Sequence, residues 1–188
     1  MIRQSVIYCL TLAIVFPAAA LAQAATQTAP TGGDAGPEMR RLAQALAGDW
    51  NNVETMERNR LFPNGGERRG TSHCGLTTGG TTLLCEGNSD GSAGKLSHLI
   101  AIWWDGHAKA YGFFICFRDR GSGCEIRGTA HWEGDVFVND YTESIKGQPT
   151  KMRDSFIEIT PNSHTLIAAV ETPDGKMKTL ITTRSTRR

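Results

Sequence analysis

The stretch Leu99–Asp140, LIAIWWDGHAKAYGFFICFRDRGSGCEIRGTAHWEGDVFVND, decides the fold. Short runs of apolar and β-branched residues are cut at Asp105-Gly106, Arg120-Gly121 and Glu133-Gly134. Asp-Gly is a strong hairpin signal, because both central residues of a two-residue turn need positive φ. The same punctuation extends outward. Gly65-Gly66, Gly79-Gly80 and Asp90-Gly91 precede the stretch, and Gly147-Gln148-Pro149, Pro161-Asn162 and Pro173-Asp174-Gly175 follow it. From Asp49 onward these nine turns mark off ten short strands. Connections this short force sequential antiparallel pairing, and closing the meander removes its two open edges. The expected fold is all-β, a ten-stranded antiparallel up-and-down barrel.

The N-terminus reads differently. Arg3 precedes an apolar run from Val6 to Phe16, Pro17 ends it, and Ala20-Leu21-Ala22 is an A-x-A cleavage site. Residues 1–22 are expected to be a signal peptide, with the mature chain starting at Gln23. The run is short of the roughly 20 residues of a spanning helix. Residues 23–36 are small, polar and Gly/Pro-containing, as in a disordered leader. Residues 37–188 are expected to form one domain. It opens with a helix over 37–47, where Pro37 suits the first turn, Met39, Leu42, Ala43 and Leu46 share a face, and Gly48 stops it.

Charge excludes some partners. Losing the signal peptide, residues 1–22, removes Arg3 and no acid, taking the formal net charge from +1 to 0. No segment carries a basic run, which argues against nucleic acid and anionic membranes. Four cysteines remain after cleavage: Cys74, Cys85, Cys116 and Cys124. An even number in an exported chain implies disulfides, hence a periplasmic or secreted location. The absence of any C-x-x-C pair speaks against zinc. Cys74 and Cys85 stand symmetrically about Gly79-Gly80, and Cys116 and Cys124 about Arg120, so the expected links are Cys74–Cys85 and Cys116–Cys124.

Leu46-Ala47-Gly48-Asp49-Trp50 looks like the short helix and Gly-x-Trp that open many lipocalin-like barrels. Trp104-Asp105-x-x-x-Lys109-x-Tyr111 resembles a hairpin of a bacterial family of secreted lipocalin-like proteins of unassigned function. Gly147-x-Pro149-x-Lys151-Met152-Arg153 and Pro173-Asp174-Gly175-Lys176 are similar to its later motifs. The resemblance runs from about Leu42 to Arg184 and implies a ten-stranded barrel of calycin type. It implies no activity. The four cysteines depart from the family pattern, as does Thr182, where an aromatic is common.

Turns fix register, and register fixes which face each residue takes. A two-residue Asp105-Gly106 loop sets His98 opposite Phe113 and Ile100 opposite Tyr111. Cys116 opposite Cys124 sets Phe113 opposite Arg127. A Glu133-Gly134 loop then sets Arg127 opposite Asp140, which in turn faces Ser155. The expected interior gathers Ile100, Trp104, Tyr111 and Phe113 with Val136, Val138 and Ile157. It also gathers a polar set of His98, Arg127, Asp140, Arg153, Ser155, Thr129 and Thr142. Buried charge must pair or meet a polar ligand. Two arginines for one aspartate leave a guanidinium suited to a carboxylate. The expected function is therefore an exported small-molecule-binding barrel. Arg127 and Arg153, beside Asp140 and His98, hold the ligand's anionic end, and Tyr111, Phe113, Trp104 and Ile100 cover its apolar body. A one-residue slip in any loop would invert the faces beyond it.

Three other readings compete. The charged cluster could be a structural ion pair at the barrel mouth. An enzyme could use a His98–Asp140 acid/base pair, although no G-x-S-x-G, H-E-x-x-H or phosphate loop occurs. An interaction module could use exposed Trp103 and Trp132. No cofactor or metal is expected, and a haem held by His98 ranks well below a hydrogen-bonded histidine. His107 and His164, beside turns, are expected to be solvated.

Overall fold

The computed structural model describes residues 35–59, 61–77, 79–118, 123–124 and 126–188. The expected signal peptide, its cleavage site and nearly all of the leader lie outside the described residues.

One helix, α1 (Pro37–Leu46), precedes ten strands: β1 (Gly48–Met56), β2 (Gly66–Leu76), β3 (Thr82–Gly91), β4 (Leu96–Asp105) and β5 (Ala110–Phe117), then β6 (Ile126–Glu133), β7 (Val136–Ile145), β8 (Gln148–Ile157), β9 (Ser163–Glu171) and β10 (Met177–Arg187). Each strand pairs antiparallel with its neighbours in sequence, and β1 pairs with β10, so the barrel is closed. The strand count, topology and helix match the sequence expectation. So do both disulfides, Cys74–Cys85 and Cys116–Cys124.

α1 closes one end of the barrel. Pro37 starts it, and Met39, Leu42, Ala45 and Leu46 form its buried stripe. They cover a core that includes Trp50, Leu83, Ile102, Phe113 and Phe137. Fully burying each such side chain is worth about 1.5–3 kcal/mol. Two buried polar atoms tie the helix down. Trp50 Nε1 donates to Leu46 O at 3.0 Å, and Tyr111 Oη donates to Glu38 O at 2.9 Å. Arg41 stacks over the Trp132 ring at 4.0 Å and donates to Gly134 O.

The register differs from expectation at two kinds of place. The β4–β5 loop spans four residues, because Asp105 pairs with Ala110. Asp105 Oδ1 accepts from the backbone N–H groups of His107 and Ala108 and stabilises that longer turn. The displacement is even, so every face survives, and His98 lies opposite Phe117 instead of Phe113. Between β5 and β6 the displacement is odd. Phe114, not Phe113, lies opposite Arg127. That turns Ile126, Gly128, Ala130 and Trp132 inward and Arg127 and Thr129 outward. This register buries Ile126 and Ala130, and glycine at 128 leaves room for Phe113 and Tyr141, since a Cβ there would come within 2.8 Å of both side chains.

The inversion carries into the next strands. Thr129 pairs with Asp140, Asp140 with Arg153, Thr142 with Lys151, and Val138 with Ser155, all on the outer face. Val136 and Ile157, expected inside, also face outward. Gly128, Asn139, Asp154 and Phe156, expected outside, line the interior. A second odd displacement at β8–β9, where Asp154 rather than Ser155 opposes Ala168, restores the inward direction of Leu166, Val170 and Ile181.

Candidate binding site in the barrel lumen

The lumen beyond the helix-capped core is not filled. A cavity of about 380 Å³ runs to the end opposite α1. Its apolar wall includes Ile100, Ile115, Met152, Leu166, Ala168 and Ile181. Leu61 and Phe62, from the β1–β2 connection, and Lys146, from the β7–β8 turn, stand at its mouth. Asn59 Oδ1 holds the first loop in shape by accepting from the N–H groups of Leu61 and Phe62.

A polar band crosses the cavity. Arg68 Nη2 donates to Glu54 Oε2 at 2.6 Å, with the two side chains only 4% and 8% exposed. Asn52 accepts from Ser185 at 2.8 Å and donates to Ser72 at 3.0 Å. Tyr141 Oη donates to Asp154 Oδ1 at 3.2 Å. His98 on β4 and His164 on β9 line opposite walls, five strands apart around the ring in either direction. Gly87 lies opposite His98 and makes room for it, since a Cβ there would sit 2.6 Å from His98 Cε1. His164 is buried against the Trp50 ring at 4.5 Å and the Phe156 ring at 5.7 Å.

These surroundings keep both imidazoles neutral at pH 7. Burial lowers the His98 pKa; Glu54 opposes that shift and Arg68 adds to it. Burial and the Arg187 guanidinium push His164 down to about 4. Among the described residues, Arg68 Nε, Ser89 Oγ, Asn139 Oδ1 and His164 Nδ1 are buried without a hydrogen-bond partner.

The sequence-predicted site residues separate into three groups. His98 and Ile100 line the cavity. Tyr111, Phe113 and Trp104 point inward but belong to the packed helix-capped end, with Tyr111 donating to the helix and Trp104 edge-on to its ring at 4.9 Å. Arg127, Asp140 and Arg153 stand on the outer face and do not line the cavity. There Arg153 is engaged: Nε and Nη2 donate to the two Asp140 oxygens at 2.8 and 3.1 Å, and Glu133 lies 3.5 Å from Nη1. Asp140 raises the Arg153 pKa through that hydrogen bond.

The register also removes two alternatives in the form expected. His98 and Asp140 occupy opposite faces of the sheet, so they make no acid/base pair. Trp103 is half-buried over Gly112 and beside Phe114, and Trp132 lies half-buried beneath Arg41 and against Phe137. His164, expected near solvent, is 7% exposed.

Sequence reasoning missed Glu54, Arg68 and His164. The signal was present for the first two. Trp50 inward makes Asn52 and Glu54 inward by alternation, and Cys74 opposite Cys85 places Ser72 and Arg68 on the same face.

No family model matches the chain, and no curated protein matches it. Solved structures do. Rv2717c from M. tuberculosis aligns with a TM-score of 0.57 at 14% identity, covering 82% of this chain and 99% of that one. In fold, the chain is similar to lipocalin-like ten-stranded barrels. The S-type phycobiliprotein lyase CPES from Guillardia theta aligns with a TM-score of 0.55 at 10% identity, covering 79% of this chain and 92% of that one. At these identities the likeness is one of fold. Two disulfides suit an oxidising environment. Among the described residues no helix is long and apolar enough to cross a membrane.

Proposed function

We propose that this protein is an exported carrier or receptor that holds one small, largely apolar molecule inside the barrel. The observation that carries this reading is the cavity of about 380 Å³ in the lumen. It falls within the roughly 300–1,000 Å³ typical of ligand pockets. At about 30 Å³ per water, that is space for on the order of a dozen waters. A barrel evolved only for stability would fill that volume with side chains, as the helix-capped half does, because interiors pack to crystal-like density. The wall is mostly apolar with a few convergent polar groups, the usual composition of a small-molecule site.

The expected grip on an anionic end loses its support, because Arg127 and Arg153 face outward. The ligand's polar end is assigned instead to the band of Arg68, His98 and His164. The signal-peptide pattern of residues 1–22 in the sequence and the two disulfides support export.

Fluorescence titration with N-phenyl-1-naphthylamine tests the reading. The proposal expects saturable, blue-shifted emission at one probe per chain. It expects loss of that signal in Ala168→Phe, which fills the cavity from β9. Absence of binding by the wild-type chain, or equal binding by the filled variant, contradicts it.

A further inference from the structure

The polar band also limits the chemistry of the ligand, provided that the lumen is the binding site. We infer that the barrel selects an uncharged ligand whose polar end is a carbonyl or hydroxyl oxygen, accepting from Arg68 Nε. A carboxylate is selected against.

The geometry argues this in two steps. The first concerns hydrogen bonds. Arg68 and His164 both line the cavity, are less than a tenth exposed, and each keeps a buried nitrogen without a partner. Arg68 Nε carries a hydrogen whatever the pH, because guanidinium does not deprotonate in proteins. It can therefore only donate, and its complement must be an acceptor. An unpaired buried donor is costly, so a ligand oxygen there is favoured over a hydrocarbon end.

The second step concerns charge. The Arg68 guanidinium is already neutralised by Glu54 at 2.6 Å, inside the same wall. An arriving carboxylate would meet a neutral ion pair and add a negative charge to a lumen that the Asp154 and Glu143 carboxyl groups also line. Its desolvation would be poorly offset, because Glu54 repels it about as strongly as Arg68 attracts it. Neither histidine supplies the missing positive charge at neutral pH, since burial keeps both imidazoles neutral. Lys146 stands at the mouth and is exposed, so water screens it.

Three probes of nearly equal shape separate these steps: 2-ethylnaphthalene, 2-acetylnaphthalene and 2-naphthoate, titrated at pH 7 by their own fluorescence. The ketone should bind about five- to tenfold more tightly than the hydrocarbon, the worth of one net hydrogen bond. The carboxylate should bind at least about tenfold more weakly than the ketone. Arg68→Lys keeps a cation against Glu54 but removes the Nε–H, so the ratio of ketone to hydrocarbon affinity should fall toward one. If that variant does not fold, Glu54→Leu with Arg68→Met removes both charges together and predicts the same fall. A carboxylate that binds as tightly as the ketone overturns the inference, as does a ketone preference that survives either variant. In both cases binding in the lumen stands. If none of the three probes binds, the lumen reading itself fails, and the inference with it.

Discussion

Removing Arg68 should be among the most destabilising single changes available on the barrel wall. Its side chain is 4% exposed and its partner Glu54 is 8% exposed, with 2.6 Å between the bonded atoms. A pair of unit charges about 4 Å apart is worth about 4 kcal/mol at an effective dielectric near 20. Arg68→Met forfeits that attraction and leaves the Glu54 carboxylate buried. Breaking a buried pair in this way costs about 3–5 kcal/mol. Native stability is typically about 5–15 kcal/mol, so the variant should lose a large part of it. Glu54→Leu leaves the guanidinium behind and should lose a similar amount. The double variant should recover most of the loss, since apolar replacement of a whole buried pair is often neutral or better. Urea unfolding of all four proteins, with disulfides intact, gives the coupling energy directly, and it should exceed about 2 kcal/mol. Single losses below about 1 kcal/mol that simply add would refute the buried pair, because that is how exposed pairs behave.

Acid should weaken the fold through His164. Its folded pKa is near 4 against 6.5 for the free side chain, so between those values the unfolded chain binds the extra proton. Stability therefore falls as pH drops from about 6.5 to 4, by up to about 3 kcal/mol from this group. His164→Phe should flatten that part of the pH–stability curve, and an unchanged slope contradicts the burial. The Cys74–Cys85 link closes 11 residues and Cys116–Cys124 closes 8. Replacing either pair by alanines should lower stability by about 2.5–3 kcal/mol on the loop-entropy estimate, read by thermal or chemical unfolding. On the outer face, Arg153→Met breaks a half-exposed pair with Asp140 and should cost at most about 1 kcal/mol, leaving affinity for N-phenyl-1-naphthylamine unaltered. A marked loss of affinity in that variant would return Arg153 to the site.

The architecture was legible because turn chemistry is local. Gly147, for example, has a φ of +79° in the two-residue turn that joins Ile145 to Gln148. Cysteines placed symmetrically about a turn gave both disulfides for the same reason. The candidate site was only partly legible, because register accumulates error from hairpin to hairpin. The four-residue turn after Asp105 moved His98 along its strand and left its face unchanged. The single-residue displacement at β5–β6 turned Arg127, and with it the expected placement of Asp140 and Arg153, out of the barrel. A warning was visible in the sequence. The mistaken register put Ile126 and Phe156 outside, whereas the actual one buries Ile126 and packs Phe156 against the core. Glu54 and Arg68 needed only the alternation from Trp50 and Cys74, carried two or three steps further along each strand. His164 was harder to read, because a histidine next to a turn gives no local sign that Trp50 and Phe156 will enclose it.

The central claim is that the ligand sits in the lumen, and methyl NMR tests it most directly. With the Ile, Leu and Met methyl groups labelled, 2-acetylnaphthalene should shift Ile100, Ile115, Met152, Leu166 and Ile181, which line the cavity. Ile157, Ile167 and the exposed Met177 should stay in place, since none of them lines it. Shifts confined to those three, or a titration that moves no lumen methyl, would contradict the account.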